Sequence, residues 1–409
     1  MKGFSLKNIL LISFLIYTYT QTKNEIPITY NQNSGLPTID VLLGEESITN
    51  PFVIDIGQEK SWIYIQKEEN LEKKELDSIK FDTFTIYGEF KKDHCYLSNK
   101  EKNKILKVEN FNYLEVPKII GDEPFLNSIS LNSIISDTDK NYGFNINFPS
   151  QKLTIGKFEN NEKGQKLELK ENKFKLNLKA IIFDDIKANK KDGNIYKISN
   201  TTKGILINRD VLLETIYSPF YVPKDFFDYL EDNNYFYHGK EQICERTIEK
   251  GGIIYLCDKN KKDKIKNINL VINDKYVLTL TKENLVKCPV ISEECEFIIK
   301  YNPKVRQFIL GMDILKNLNI YFMKNENNIY LKGVELLESD LTEANLHILG
   351  KKDKMKALLQ LVKTFSVIVS IFSFLFIFFY IHGKCINKDK GNEDKKEEEM
   401  IDVEDKEKK

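Results

Sequence analysis

The most informative part of the sequence is Phe52-Val53-Ile54-Asp55-Ile56-Gly57, followed by Trp62-Ile63. Three apolar residues lead into an acid, and a glycine follows two positions later. Such a run predicts a buried strand that ends at the carboxylate. The chain then turns at the glycine, which has no side chain to clash with its neighbours. Trp62 lies seven residues after Asp55 and predicts the start of a second strand.

This arrangement resembles the first active-site loop of the pepsin-like aspartic proteases. That loop reads apolar-apolar-Asp-Thr-Gly-Ser and has a Trp seven residues after the Asp. Asp55, Gly57 and Trp62 match it, whereas Ile56 and Gln58 replace the Thr and the Ser. The resemblance implies an all-β, bilobal pepsin-like acid protease fold, with Asp55 catalytic and Gly57 in the active-site loop.

Other landmarks of that family follow in order along about 40–335. The run Phe84-Thr-Ile-Tyr87-Gly88 resembles the flap hairpin, so Tyr87 and Gly88 are predicted to close over the cleft. Ile119-Ile120-Gly121 resembles the motif that supports the active site in lobe one. Phe308-Ile309-Leu310-Gly311 resembles the equivalent motif of lobe two.

The second catalytic loop is predicted at Val211-Leu212-Leu213-Glu214-Thr215. Its apolar lead-in, and Pro223 nine residues after Glu214, match the family pattern, which has an Asp at the position of Glu214. The resemblance therefore makes Glu214 the second catalytic residue and Thr215 its loop neighbour. A competing register puts Asn208-Arg209-Asp210 on the loop, but it lacks both the lead-in and the proline spacing.

The family's reaction needs two carboxylates that share one proton, so that one acts as base on a water and the other polarises the peptide carbonyl. Here Glu214 is one methylene longer than Asp, Ile216 replaces the loop glycine, and Ile56 replaces a threonine that locks the lobes together. A misplacement of ~1 Å can cost about 10²-fold in rate. We expect an impaired endopeptidase acting on polypeptides without a cofactor, or a non-catalytic homologue that binds peptide or protein partners in the cleft.

The two ends of the chain predict a single-pass membrane protein. Residues 1–20 have the basic and then apolar pattern of a signal peptide, and 357–382 form a predicted transmembrane helix. Together they predict a type I topology, with the body in the secretory or endolysosomal lumen or outside the cell. The predicted organisation lists the N-terminal lobe as 21–170, the C-terminal lobe as 171–340, a juxtamembrane linker as 341–356, and a disordered, charged cytosolic tail as 383–409.

The composition argues against some partners. The 61 Lys and Arg residues balance the 61 Asp and Glu residues, whereas nucleic-acid-binding domains usually carry a basic excess. Only four histidines occur and they are scattered, which argues against a metal site or a His-based triad. We expect a monomer.

Four cysteines of the second half, Cys244, Cys257, Cys288 and Cys295, are disulfide candidates. Four cysteines allow three pairings. The short spacings within 244–257 and 288–295 favour local pairing.

Overall fold

The computed structural model describes residues 24–349 and 362–380, except for 33, 45–49, 66–75, 100–102, 122–126, 136–141, 159–163, 171–173, 184–186, 190–194, 198–201, 250–251, 324–325, 327, 338–340 and 342–344. The predicted signal peptide and cytosolic tail, and Cys385, lie outside these residues. The described body, 24–349, and the helix Val362–Tyr380 belong to separate units and are treated separately.

Short runs of β-branched and aromatic residues form the strands of the first half. Successive side chains of a strand point to opposite faces of its sheet. These strands are β1 (Asn24–Pro27), β2 (Thr29–Tyr30), β3 (Pro37–Leu43), β4 (Asn50–Asp55), β5 (Ser61–Tyr64), β6 (Asp77–Lys80), β7 (Phe84–Ser98), β8 (Lys104–Gly121), β9 (Ser128–Ser130), β10 (Tyr142–Asn147), β11 (Lys152–Lys157) and β12 (Gln165–Glu168).

The second half continues with strands β13 (Lys175–Ile182), β14 (Lys187–Asn189), β15 (Ile195–Lys197), β16 (Lys203–Leu213), β17 (Phe220–Tyr221), β18 (Tyr237–His238), β19 (Glu241–Gln242), β20 (Cys244–Glu249), β21 (Gly252–Asp258), β22 (Ile268–Ile272), β23 (Tyr276–Leu280), β24 (Val286–Lys287), β25 (Glu294–Phe297), β26 (Ile299–Lys300), β27 (Phe308–Leu310), β28 (Asn319–Met323), β29 (Asn328–Lys332), β30 (Glu335–Leu337) and β31 (Asn345–Ile348).

Helices are short within the described body. They are α1 (Leu131–Ile134), α2 (Lys224–Asp232), α3 (Lys282–Leu285), α4 (Met312–Leu315) and a 3₁₀ helix at Lys259–Lys264. The amphipathic α2 begins after Pro223 and buries Phe226, Phe227 and Leu230. The helix Val362–Tyr380, here α5, is long and apolar enough to cross a membrane.

Three large sheets build the body. Lobe one contains the sheet β2-β3-β4-β9-β5-β8-β7-β6, and lobe two contains β14-β15-β30-β23-β22-β13-β16-β27-β17-β26, with β31 paired to β16. Strands of both halves share a third sheet, β1-β11-β10-β28-β29-β12. The predicted all-β, bilobal architecture is therefore confirmed, and one apolar core cluster runs through both lobes.

Each lobe has a strand that supports its active-site loop. This strand lies parallel to the strand that leads to the predicted catalytic acid. In lobe one, β9 lies parallel to β4 and Ser130 is opposite Asp55. In lobe two, β27 lies parallel to β16 and Leu310 is opposite Leu213, directly before Glu214.

Two predictions are wrong at this level. The run 119–121 does not support Asp55, because it ends β8 and pairs with the start of β7. The supporting strand is β9, which sequence reasoning missed because Ser130 stands where lobe two has Gly311. The predicted linker 341–356 is also wrong in its first part, because β31 pairs with β16 and extends the body to Leu349.

Local disulfide pairing is confirmed. Cys244 bonds to Cys257 across the β20–β21 hairpin, and Cys288 bonds to Cys295. Among the described cysteines, Cys95 is buried and forms no disulfide.

Candidate active site

Asp55 lies at the end of β4 and is fully buried. Its Oδ1 accepts hydrogen bonds from the backbone N–H groups of Gly57 (2.8 Å) and Gln58 (3.1 Å). Its Oδ2 is buried and has no hydrogen-bond partner among the described residues. Burial raises the pKa of Asp55 to about 7, although the two backbone hydrogen bonds oppose that rise.

Glu214 follows β16 and is 8% exposed. Its side chain packs over Gly57, where an added Cβ would lie 3.0 Å from the Cγ of Glu214 and 3.4 Å from its Oε1. The glycine of lobe one therefore provides the space for the longer acid of lobe two. Burial raises the pKa of Glu214 well above its usual range, and the charges of Asp55 and Asp82 raise it further.

The two loops remain joined through Thr215. Its hydroxyl donates to the backbone carbonyl of Ile54 (2.5 Å) and accepts from the backbone N–H of Ile56 (3.3 Å). Ile56 has no hydroxyl and cannot make the equivalent side-chain hydrogen bonds to lobe two. These hydrogen bonds between the two loops are therefore made by the Thr215 side chain of lobe two alone. Ile216 is buried beside this contact, and the loops still meet at Thr215.

Each loop is fastened to its supporting strand in a different way. A Cβ on Gly311 would lie 2.3 Å from the carbonyl oxygen of Pro219 and 2.6 Å from that of Tyr217, so only glycine fits without a shift. In lobe one, the hydroxyl of Ser130 instead donates to the carbonyl of Gln58 (2.5 Å). A side chain is therefore accommodated at the supporting position in lobe one but not in lobe two.

An ion pair further stabilises the loop of lobe two. The buried Asp313 accepts from Lys287 Nζ at 2.7 Å, and Lys287 also donates to the hydroxyl of Ser218 at 3.0 Å. The backbone N–H of Asp313 donates to the Ser218 carbonyl. These contacts fix the segment that follows Glu214.

The hairpin of β6 and β7 covers the cleft, with its turn at 81–83. The Phe81 ring lies 5.2 Å from that of Trp62, Asp82 is hydrogen-bonded by the side chain of Gln307, and Thr83 hydrogen-bonds with Tyr217. The turn of lobe one is thus tied to lobe two by two side-chain hydrogen bonds.

Tyr87 and Gly88 do not occupy this turn, so the predicted flap residues need correction. They lie further along β7, paired with Ser78 and Asp77. A Cβ on Gly88 would lie 2.1 Å from the carbonyl oxygen of Glu115, which explains the glycine as a close approach of two strands at an irregularity in their pairing. Sequence reasoning missed the true turn because 81–83 lacks the Tyr-Gly signature.

A cavity of about 530 Å³ lies between the hairpin and the two loops. Its lining includes Gly57, Gln58, Phe81, Asp82, Glu214 and Gln307. A second cavity of about 290 Å³ is lined by both Thr83 and Tyr217 and by Ile216. Cavities therefore adjoin the Thr83–Tyr217 contact, as an extended ligand spanning the cleft would require.

Comparison with known proteins supports the fold through structure rather than sequence. No protein-family model matches the chain, and no curated protein matches it. The structure is similar to the crystal structure of the aspartic proteinase from Irpex lacteus, with a TM-score of 0.53 and 11% sequence identity over 77% of this chain and 98% of that one. The fold is that of a pepsin-like aspartic proteinase.

Within this pepsin-like fold, the predicted loop residues Asp55, Gly57, Glu214 and Thr215 come together at the lobe interface. The disulfide cysteines are not among the residues lining either cavity. Among the described residues, no group of three or more His, Cys, Asp or Glu side chains is arranged to hold a metal. Asp82 was missed, since an acid in a three-residue turn carries no signal of its own.

Proposed function

We propose that the body is an aspartic-type endopeptidase, acting as a monomer on an extended polypeptide in the cleft between its lobes. One observation carries the proposal. The Oδ2 atom of Asp55 is buried without a hydrogen-bond partner among the described residues, next to a second buried carboxyl on Glu214. An unpaired buried carboxylate oxygen is costly, and such groups concentrate at catalytic sites.

The surroundings of the two acids support different roles. Two backbone N–H groups favour the charged form of Asp55, whereas Glu214 accepts no hydrogen bond from the described residues and is opposed by the charge of Asp55. The pair therefore loses its first proton mainly from Asp55. Asp55 then acts as general base on the attacking water, and protonated Glu214 donates a hydrogen bond to the scissile carbonyl.

The proposal predicts an unusual pH dependence. Asp55, the proposed base, holds its proton below pH 7, because burial raises its pKa to about 7. Without a charged carboxylate there is no general base. Activity should therefore rise as the pH passes through about 7 and fall again only when Glu214 ionises.

Cleavage of a peptide library by the full chain in detergent, between pH 4 and 9, tests this proposal. Asp55→Asn and Glu214→Gln should each abolish turnover. Asp210→Asn is the matched control, since Asp210 belongs to the competing register and pairs with Lys170 at the surface. Equal cleavage by Asp55→Asn and the unsubstituted chain would exclude the proposed dyad.

A second candidate is a non-catalytic peptide-binding protein of the same fold. It is favoured by the complete burial of Asp55, since Glu214 lines the larger cavity but Asp55 does not. In that case peptides would bind without turnover at any pH, and binding would survive Glu214→Gln. Calorimetric binding and cleavage measured on the same peptides separate the two candidates.

We also propose that α5 anchors the chain as a type I membrane protein with the body in the secretory lumen or outside the cell. Nineteen residues at 1.5 Å each span roughly 28 Å, close to the thickness of a hydrocarbon core. The two disulfides fit an oxidising compartment. In sealed microsomes, added protease should remove the tail and spare the body; loss of the body would reverse the proposed orientation.

A further inference from the structure

Tyr217 lies at the junction of the two cavities in the cleft. Among the residues that the structure describes, it is the one that lines both the cavity of about 530 Å³ and the cavity of about 290 Å³. It follows Glu214 by three positions and is 6% exposed. An extended polypeptide that fills both cavities therefore passes beside this side chain.

The contacts that orient the ring of Tyr217 come from lobe two. Its backbone carbonyl accepts a hydrogen bond from the N–H of Met312 (2.7 Å). Its ring packs edge-on against that of Tyr221, with centroids 5.7 Å apart and an interplanar angle of 87°. Neither contact involves the flap turn 81–83, so the ring stays in place when that turn moves.

The hydroxyl of Tyr217, in contrast, bonds to lobe one. It hydrogen-bonds with the side chain of Thr83 in the flap turn. Burial, and then the charge of Glu214, raise the pKa of Tyr217 above its usual range. The phenol therefore keeps its proton at neutral pH and can donate a hydrogen bond.

The flap turn has no tyrosine of its own, since its aromatic residue is Phe81, which lacks a hydroxyl. Of the tyrosines that line the cavities, Tyr221 and Tyr301 line only the smaller one. Tyr217 also lines the larger one, together with Glu214. Among the described residues lining the cleft, Tyr217 is thus the tyrosine that meets a polypeptide beside Glu214.

We infer that the Thr83–Tyr217 hydrogen bond closes the cleft and that an extended polypeptide displaces it, so that the Tyr217 hydroxyl then donates to a main-chain carbonyl of the polypeptide. Exchanging one hydrogen bond for another costs little, whereas leaving the buried hydroxyl unpaired would be costly. Every residue of a polypeptide offers such a carbonyl, so the contact recognises main chain and not a particular side chain. The inference rests on the proposed polypeptide ligand but does not require that the ligand be cleaved.

Calorimetric peptide binding by the full chain in detergent tests the inference. Every sample carries Asp55→Asn, so that no peptide is cleaved during the measurement, and the probe is the library peptide that binds this background most tightly. Thr83→Val should tighten binding about two- to tenfold, because the peptide no longer has to displace Thr83. Adding Tyr217→Phe should cancel that gain, because the donor to the peptide is then lost as well. Tyr217→Phe alone should bind nearly as the background does, since it loses one hydrogen bond in each state.

Three further variants provide the controls. Thr83→Ala removes the same hydroxyl without adding an apolar group and should show the same gain. Thr83→Ser keeps the hydroxyl and should bind as the background does. Thr85→Val is the matched swap, because Thr85 lies on the same hairpin but lines neither cavity, and it should leave the affinity unchanged.

The pattern across the variants decides the inference. If Thr83→Val, Tyr217→Phe and the double variant all tighten binding equally, the hydrogen bond only closes the flap, and the exchange is overturned. If all three weaken binding, the bond is a structural tie between the lobes, and the exchange is again overturned.

Cleavage by the unsubstituted chain separates this inference from the proposed peptidase. A gain confined to the Thr83 variants that lack the hydroxyl, in a chain that cleaves no peptide, supports the exchange while the peptidase fails. If no peptide binds the background, the exchange and the polypeptide ligand fail together.

Discussion

The two active-site loops face each other across the lobe interface, yet they divide the work between them. The loop of lobe one orients its acid with its own backbone N–H groups, from Gly57 and Gln58 to Asp55. The loop of lobe two gives Glu214 no such bond, but the hydroxyl of its Thr215 bonds to the backbone of Ile54 and Ile56 in lobe one. One lobe therefore stabilises the charged form of an acid, and the other holds the lobes together.

The largest expected effect concerns the acid of lobe one and the pH dependence of stability. The pKa of Asp55 is raised from 3.8 to about 7 in the folded chain. Between those values the folded chain holds a proton that the unfolded chain has lost, so the free energy of unfolding falls as the pH rises. Asp55 accounts for up to about 4 kcal/mol of that fall.

Asp55→Asn should flatten this fall, as measured by urea unfolding of the full chain at several pH values between 4 and 7. The part due to Glu214 should remain, because its pKa is raised by burial in either case. An unchanged slope in Asp55→Asn would mean that Asp55 titrates normally and that the two loops do not differ as described.

The supporting strands give the next largest contrast. Gly311→Ser places a Cβ against the backbone carbonyls of Pro219 and Tyr217 and should cost about 3 kcal/mol through overpacking. The reverse change in lobe one, Ser130→Gly, removes one hydrogen bond to Gln58 and should cost only about 1 to 2 kcal/mol. Equal losses in chemical denaturation would show that the two supports are interchangeable.

These supports also show how far sequence reasoning reached. Asp55, Trp62 and Gly311 were recognisable because burial and close approach dictate their residue types. The support of lobe one has no such signal, because Ser130 takes the glycine position and its hydroxyl donates to the Gln58 carbonyl. The apolar-apolar-Gly pattern of 119–121 therefore predicts the wrong segment.

The site was predictable where it depends on loops, and less so where it depends on the flap. Glu214 could be found from its apolar lead-in and the proline that follows. The flap turn could not be found in this way. Phe81 contacts Trp62 only through its aromatic ring, and Asp82 is hydrogen-bonded by Gln307, which is far away in the sequence. Contacts between residues more than 200 positions apart have no local sequence signal.

A smaller effect is expected from the cross-lobe contact. Thr215→Val keeps the shape but leaves the Ile54 carbonyl and the Ile56 N–H unpaired, which should cost about 2 kcal/mol. Thr38→Val is a matched swap, since Thr38 is buried and its hydroxyl bonds to Thr29 within lobe one. Both variants should lose stability, but only Thr215→Val should also lower kcat. A lowered kcat in both would show that the effect is general loosening.

The smallest effect sharpens the electrostatic difference between the loops. The charge of Asp82 helps to raise the pKa of Glu214 but is not among the causes that shift Asp55. Asp82→Asn should therefore lower the pKa of Glu214 and move the alkaline limb of the kcat/KM profile to lower pH, while the limb near pH 7 stays in place. Asp77→Asn removes a charge from the exposed start of the same hairpin and should move neither limb. A shift of the lower limb in Asp82→Asn would mean that the flap acts on Asp55, and that the two acids are not distinguished by their loops.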